Sequence, residues 1–212
     1  KTDTNNNGAF STDFIGGNAG YVDGGWDERA RIVAAHRRYQ QGLLWTLAKD
    51  PRVPLAVRRE VQAWGLAKDE VDARDPWPHQ LYIREARRMV GAVVMTERHC
   101  RGLEEVEDPV ALAAYGMDSH NVQRCVAEDG SARNEGDVQV HGFSPYGISR
   151  RALEPERAQC TNLVVPVCLS ASHIAYGSIR MEPVFMVLAQ SAATLSCLAL
   201  ERQCAVQDVP YA

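Results

Sequence analysis

The sequence predicts a protein of the mixed α/β class, and three segments support that prediction. Residues 162–170 form a short apolar run with three valines, which is typical of a strand buried on both faces. A long apolar segment follows from Glu182, and Pro183 suits the first turn of a helix because its missing N–H is not needed there. Between residues 27 and 49, apolar side chains recur at helical spacing. Helices and at least one buried strand are therefore expected.

Further elements are predicted between these segments. The helix over residues 27–49 should end at Asp50-Pro51, because a residue that precedes proline disfavours the helical conformation. A second, shorter helix is expected over residues 54–64. Residues 128–142 are typical of a hairpin with a glycine-containing turn, followed by an alternating strand. We interpret the two helices as a cap or substrate region laid against a sheet.

Composition limits the classes of partner. The chain has 212 residues, of which 45% are hydrophobic and 24% charged, as in globular proteins. Its formal net charge of −4 predicts neither nucleic acid nor an anionic membrane as a partner. No apolar run was expected to be long enough to cross a bilayer. Because the chain starts at Lys1 within a polar run, we interpret it as a fragment of a longer protein, and its cellular location stays open.

The cysteines give no support for a metal site. Six are present, and no two of them form a C-x-x-C pair, which is the usual spacing in zinc and iron–sulfur sites. No metal is therefore predicted. Cys168 and Cys197 stand among apolar residues, and we expect their side chains to be buried.

Three long strings carry a resemblance to a known family. They read REARRMVG at residues 84–91, ALAAYGMDSHNVQRCV at 111–126 and SASHIAYGSIRMEPVFMVLAQSAAT at 170–194. These strings resemble the FAD-dependent oxidoreductase family, which includes the heterodisulfide-reductase-A-like proteins and the xanthan-lyase-related flavoproteins. The resemblance implies a substrate or cap region over residues 1–141. It also implies that residues 142–212 are the closing strand and helix of an FAD domain of the two-dinucleotide-binding type.

The same resemblance implies FAD as the cofactor and a set of residues around it. The last strand would end against the flavin, a loop with an arginine would cross it, and the N-terminus of the final helix would point at the pyrimidine edge. A guanidinium and a helix N-terminus both stabilise the negative charge of reduced flavin. No G-x-G-x-x-G turn follows a strand here, so the resemblance implies a missing N-terminal FAD-binding half as partner. The implied cofactor-binding residues are Cys168, Leu169, Ser170, Ile179, Arg180, Pro183, Val184 and Phe185.

Two histidines are candidates for the catalytic base. Asp118 and His120 are two residues apart, so on a strand their side chains face the same side. A carboxylate beside an imidazole raises its basicity and fixes its tautomer, which suits a base that removes a hydroxyl proton. His173 is the competing base, because the resemblance places it in the loop that crosses the flavin.

Polar residues elsewhere are candidates for holding the substrate. Arg84 lies at helical neighbour spacing from Arg87 and Arg88, and a guanidinium from this group would bind a carboxylate in bidentate fashion. A solvated, salt-bridged face is an equally good interpretation of these charges. The resemblance also places the polar N-terminal run over the catalytic cavity, although its composition is equally typical of a flexible surface. Its candidate substrate ligands are Asp3, Asn6, Asn7 and Asp13.

The function that these residues predict is hydride transfer between a polar, carbohydrate-like substrate and flavin. The alternative is a non-redox glycan-binding or lyase module that retains the flavoprotein fold. Ala189 and Ala193 favour that alternative, because they stand where the family carries glycine in the last helix. A base with an arginine can also abstract a proton next to a carboxylate, so these residue types agree with a lyase as well. We expect a fragment without the phosphate-binding turn to be inactive by itself.

Overall fold

The computed structural model describes residues 8, 10–72 and 74–211. Its contacts divide the chain into two compact units. The first unit comprises Lys1–Ile83 and Asn121–Gly136, and the second comprises Arg84–His120 and Asp137–Ala212. The predicted boundary after residue 141 stays a prediction.

The mixed α/β class is confirmed, since the chain contains both helices and small antiparallel sheets. The helices are α1 (Trp26–Lys49), α2 (Leu55–Gln62), α3 (Glu97–Cys100), α4 (His173–Ile179) and α5 (Glu182–Arg202), with 3₁₀ turns at Arg150–Ala152 and Val206–Asp208. The strands are β1 (Pro109–Ala113), β2 (Met117–Ser119), β3 (Gln123–Val126), β4 (Ala132–Glu135), β5 (Val138–Val140) and β6 (Tyr146–Ser149).

The first unit contains both helices that were predicted near the N-terminus. α1 begins one residue before the expected Asp27, and its C-cap Asp50 is extended, as the following proline requires. α2 is slightly shorter than predicted and is preceded by Pro54. The hairpin of β3 and β4 completes the unit, and its turn includes Gly130 at a φ of 79°, a left-handed value that favours glycine.

The second unit is built on short antiparallel strand pairs, the short helix α3 and the helices α4 and α5. β1 pairs with β6, and β2 pairs with β5. α5 packs against β1, and α4 packs against β2. α5 buries apolar side chains at successive helical turns: Leu188 and Ala192 lie in the main apolar cluster, whereas Leu195 and Ala199 lie in a second cluster with Val206 and Val209. This packing fixes both ends of α4, where the polar clusters described below lie.

The strand predicted over residues 162–170 does not form. The segment is irregular, with isolated hydrogen bonds such as that from the Ser170 amide to the Ala152 carbonyl at 2.8 Å. Pro166 lacks an N–H and interrupts any ladder, and Val167 is half exposed rather than buried. Cys168 and Cys197 are also exposed, which corrects the prediction that both are buried. The valines of this segment therefore do not indicate a strand that is buried on both faces.

The loop expected between this segment and the last helix is the helix α4. Ser172 is its N-cap, and the Ser172 side chain accepts a hydrogen bond from the amide of Ala175 at 3.3 Å. His173 is therefore the first helical residue rather than a loop residue. Arg180 is the C-cap of α4, and α5 begins two residues later. The residues expected to cross the cofactor are thus held by a regular element.

α5 corrects one expectation drawn from composition. Its length and apolar composition, with a mean hydropathy of 1.7, are sufficient for a membrane-spanning helix. A core helix passes the same test of length and composition, and α5 buries one face against the protein. The prediction that the partners include no membrane stays a prediction.

Gly177 permits the close packing of α4 on β2, and its replacement tests that contact. A Cβ atom at this position would lie 2.7 Å from the carbonyl oxygen of Asp118, which is backbone and cannot rotate away. We expect Gly177→Ala to lower the free energy of unfolding by about 1–3 kcal/mol, the usual cost of overpacking, in urea titrations. Gly42→Ala is the matched control, because an added Cβ there has no neighbour within 4 Å, and we expect it to stabilise α1 by about 0.4–1 kcal/mol. Equal effects at the two glycines would contradict the close contact.

Candidate functional site

Two polar clusters of the second unit lie at the two ends of α4. His173 is the first residue of this seven-residue helix and Arg180 is its C-cap. At 1.5 Å per residue, the two ends are about 10 Å apart along the helix axis. The predicted site residues of this unit therefore form two groups rather than one.

The first cluster pairs an imidazole with a carboxylate. Nδ1 of His173 lies 2.7 Å from Oε2 of Glu85. Because an ionised carboxylate can only accept hydrogen bonds, Nδ1 carries the hydrogen in this pair and Nε2 is left as the basic nitrogen. The His173 side chain is 52% exposed, so a substrate can reach it, whereas the Glu85 side chain is 24% exposed.

Arg88 completes this cluster from the same irregular segment that carries Glu85. Its Nη1 forms an ion pair with Oε1 of Glu85, and its Nε donates to the carbonyl oxygen of Ala171 at 2.8 Å. The guanidinium also lies over the ring of Tyr176, with 5.4 Å from Cζ to the ring centroid. Burial lowers the pKa of Arg88, although the group keeps its charge at neutral pH.

The surroundings of His173 favour its neutral form. Burial lowers the pKa of the imidazole below its usual 6.5, and the positive charge of Arg88 lowers it further. A histidine with a depressed pKa is unprotonated at neutral pH, and an unprotonated imidazole is the form that accepts a proton. The cluster is therefore suited to general-base chemistry.

The second cluster is a shielded ion pair. Nη2 of Arg180 lies 3.3 Å from Oδ2 of Asp118 and 3.3 Å from the Asp118 carbonyl oxygen. The side chains of Arg180 and Asp118 are 7% and 13% exposed. The Asp118 carboxylate also accepts hydrogen bonds from the hydroxyl of Tyr115 at 3.1 Å and from the amide of Gln139. Asp118, on β2, therefore connects the end of α4 and β5 through its hydrogen bonds.

The strand that carries Asp118 does not include His120, so the expected arrangement of the two side chains on one face stays a prediction. β2 ends at Ser119, so His120 lies beyond the strand and the alternation of side chains does not extend to it. The Asp118 carboxylate interacts with Tyr115, Gln139 and Arg180. The role of His120 as a base stays a prediction.

At the start of α5, the backbone amides that were expected to donate hydrogen bonds to the cofactor are already hydrogen-bonded within the protein. The amides of Val184 and Phe185 both donate to the carbonyl oxygen of Met181, at 2.9 and 3.1 Å. Pro183 is exposed in the first turn of the helix. The positive end of the helix dipole and the nearby guanidinium of Arg180 still fit an electron-rich group by charge. The donors that the resemblance implies are nevertheless engaged within the protein.

The other implied cofactor residues differ in their exposure. Leu169, Ser170 and Ile179 are fully buried, and the Ser170 hydroxyl accepts a hydrogen bond from the Gly91 amide at 3.0 Å. Cys168 is exposed, and its carbonyl oxygen accepts a hydrogen bond from the Met89 amide at 2.9 Å. Of these four residues, Cys168 alone presents an exposed side chain.

The substrate residues predicted from charge are not on a helix. Residues 84–90 are irregular, so the helical spacing that would group Arg84 with Arg87 or Arg88 does not apply. Arg84 is half-buried and Arg87 is exposed, and both interact with neighbouring groups. Their roles in binding substrate stay predictions.

The polar N-terminal loop belongs to the first unit, and the described part of it is anchored there. The Tyr39 hydroxyl donates to the carbonyl oxygen of Ser11 at 2.9 Å, and Asn134 donates to that of Gly8 at 2.8 Å. Asp13 lies in this loop, with its amide donating to the Ser11 hydroxyl at 3.2 Å. Asp3, Asn6 and Asn7 lie outside the described residues. Whether these side chains bind substrate stays a prediction.

Sequence reasoning did not assign a role to Glu85 or Tyr176, and it missed Arg124. Arg124 bonds Asn134 through Nε at 2.9 Å and lies over Phe10, with 5.3 Å from Cζ to the ring centroid. It therefore helps to hold the N-terminal loop. In the sequence, Glu85 stands out only as part of the charged string RE-x-R-R, and that local pattern does not indicate that its partner is His173.

A cleft of about 570 Å³ also lies in the second unit. Its walls are residues 101–103 and 140–146. None of the predicted site residues lines it. Among residues 8, 10–72 and 74–211, no group of three or more His, Cys, Asp or Glu side chains is placed to hold a metal ion.

The paired imidazole and carboxylate of the second unit define an acid–base centre, with the half-buried Arg88 beside them. A family model of FAD dependent oxidoreductases matches residues 1–212. The chain belongs to the FAD-dependent oxidoreductase family, as the sequence predicts. No curated protein and no solved structure matches the chain. The narrower likeness to heterodisulfide-reductase-A-like or xanthan-lyase-related proteins stays a prediction.

Proposed function

We propose that this flavoprotein oxidises an alcohol group of a polar, carbohydrate-like substrate, with His173 as the proton acceptor. The observation that carries the proposal is the hydrogen bond of 2.7 Å between His173 and Glu85. It supports a base whose tautomer is fixed and whose Nε2 can accept a proton. Because the chain belongs to the FAD-dependent oxidoreductase family, the proposed reaction is an oxidation or reduction.

His173 performs the proton transfer in this proposal. Removal of a hydride from an alcohol carbon requires that the hydroxyl proton leave as well, and a positioned base accelerates that loss. The depressed pKa of His173 keeps the imidazole ready to accept a proton at neutral pH. Glu85 then stabilises the imidazolium that forms, because the carboxylate already accepts the Nδ1 hydrogen.

The residues that would hold FAD are Arg180 and the N-terminal end of α5. They are adjacent in the chain, and the positive end of the helix dipole fits the electron-rich pyrimidine edge of a flavin by charge, whereas the charge of Arg180 is compensated by Asp118. FAD supplies a hydride acceptor when it is bound. Within this chain, Asp118 keeps the Arg180 guanidinium in place through the contact at 3.3 Å.

The absorption spectrum of the purified protein, produced together with the N-terminal FAD-binding half that the resemblance implies, supplied with FAD and freed of excess cofactor, tests this proposal. We expect a bound-flavin spectrum that bleaches on anaerobic addition of a reducing polyol or sugar alcohol substrate, and on addition of dithionite as a positive control. Heat-denatured protein treated in the same way controls for loosely adsorbed cofactor. A well-folded protein that takes up no FAD would overturn the proposal.

A non-redox lyase is the second candidate, and the engaged amides at the start of α5 favour it. Val184 and Phe185 donate to Met181 rather than to an open site. The exposed methyl groups of Ala189 and Ala193 stand where family members carry glycine. A base that removes the proton next to a carboxylate, while the glycosidic oxygen on the adjacent carbon leaves and takes up a proton, would give an unsaturated product that absorbs ultraviolet light. Formation of such a product without flavin would identify this activity.

A further inference from the structure

The guanidinium of Arg88 makes three contacts that all point into the protein. It forms an ion pair with Glu85, donates to the Ala171 carbonyl at 2.8 Å and lies over the ring of Tyr176. Its side chain is only 22% exposed. Ala171 and Tyr176 flank the first residue of α4, so Arg88 is fixed to the helix that carries His173.

We propose that Arg88 is a positioning residue of the base, holding Glu85 against His173, and that it does not bind substrate. This inference rests on the proposed function of His173 as the proton acceptor. It reassigns Arg88 from the substrate-binding role that its charge suggested. In this inference, Glu85 connects the fixed guanidinium of Arg88 to the imidazole of His173.

The geometry supports a positioning role because the two oxygens of Glu85 have different partners. Oε1 pairs with Arg88, whereas Oε2 accepts the hydrogen of His173 at 2.7 Å. A carboxylate held at one oxygen by a fork-shaped guanidinium has little freedom to rotate away from a partner at the other oxygen. The contact with the Tyr176 ring in turn restricts the movement of the Arg88 guanidinium.

The titratable groups around His173 come from two elements. Glu85 and Arg88 approach from the irregular segment before α3, and Tyr176 lies one helical turn further along α4. Glu85 favours the imidazolium, whereas Arg88 disfavours it. Removal of Arg88 takes away the repulsive charge and leaves Glu85 without its ion-pair partner. Both changes favour protonation of His173.

Nitrogen-15 NMR titration of the histidine rings, in protein without flavin or substrate, tests the inference directly. In Arg88→Gln we expect the pKa of His173 to rise and the Nδ1–H tautomer to lose its dominance. Glu85→Gln should also weaken the preference for that tautomer. Arg101→Gln is the matched control, because Arg101 is a half-exposed arginine that pairs with Glu97 within one helix, and it should leave both readouts unchanged.

Steady-state kinetics provide the second readout. We expect Arg88→Gln to lower kcat by about ten- to a hundredfold through misplacement of the base, with little change in KM. The acidic limb of the pH profile should move to higher pH with the titration of His173. Arg88→Lys keeps the charge but not the fork, so it should show the same changes to a smaller degree. It also serves as the test variant if Arg88→Gln does not fold.

Two results would overturn the inference. One is a raised KM with an unchanged kcat and an unchanged His173 titration, which is the pattern of a substrate-binding arginine. The other is an Arg88→Lys variant that titrates like the unmodified protein while it loses substrate affinity. Because the titration needs no flavin, a failure of the protein to bind FAD overturns the proposed function and leaves the Arg88 measurement interpretable.

Discussion

Replacement of His173 by alanine is expected to slow substrate-dependent flavin reduction by about 10²–10⁴-fold, the usual contribution of a positioned general base. The imidazole is half exposed, paired with Glu85 at 2.7 Å and kept neutral by its lowered pKa. Alanine removes the proton acceptor but none of the groups proposed to hold FAD. We therefore expect the flavin content to be unchanged. Stopped-flow absorbance at saturating substrate measures the rate.

His120→Ala is the matched control for this prediction. His120 follows β2 and was the rival candidate for the base, so its loss should leave the rate within a few-fold of the starting value. A larger loss in His120→Ala than in His173→Ala would assign the base to His120. Flavin reduction at an unchanged rate in both variants would remove both histidines from the reaction.

Leu188→Ala is expected to destabilise the protein by about 2–5 kcal/mol, the usual cost of a large cavity in a core. Leu188 is fully buried in the main apolar cluster of the second unit, where α5 packs against β1. Urea unfolding, followed by circular dichroism, measures the change in the free energy of unfolding. This loss is a large fraction of the stability of a typical domain.

Leu200→Ala is the control within the same helix. Leu200 is 77% exposed, so its truncation should change the free energy of unfolding by less than about 0.5 kcal/mol. If both leucines caused the same loss, the side of α5 that faces the core would have been misassigned. A smaller loss at Leu188 than at Leu200 would place the buried face on the opposite side of the helix.

The helices were predictable from the sequence because their signals are local. The apolar spacing of α1, the proline after its C-cap and Pro183 at the start of α5 each act within a few residues. The segment over residues 162–170 shows the limit of such signals. Its valines have strand propensity, but a strand also needs a partner at the right register, and Pro166 removes a donor from the ladder.

The candidate site was less predictable because it depends on contacts between distant residues. His173 was identified as a candidate, but its partner Glu85 lies 88 positions earlier in the chain. Nothing in either local string specifies which of the neighbouring charges turns toward the imidazole. Likewise, Arg180 was identified as a cation, whereas its ion pair with Asp118 depends on the packing of α4 on β2.

Gly177 has no side chain, but its close approach to β2 fixes the helix that carries His173. The backbone of α4 rests directly on that of β2, with no side chain between them at this position. A helix seated on bare backbone has little room to roll about its own axis, so the direction of His173 is set one helical turn away. We therefore expect a side chain at Gly177 to shift α4 on β2, and to move His173 with the helix, although Gly177 carries no group that could react.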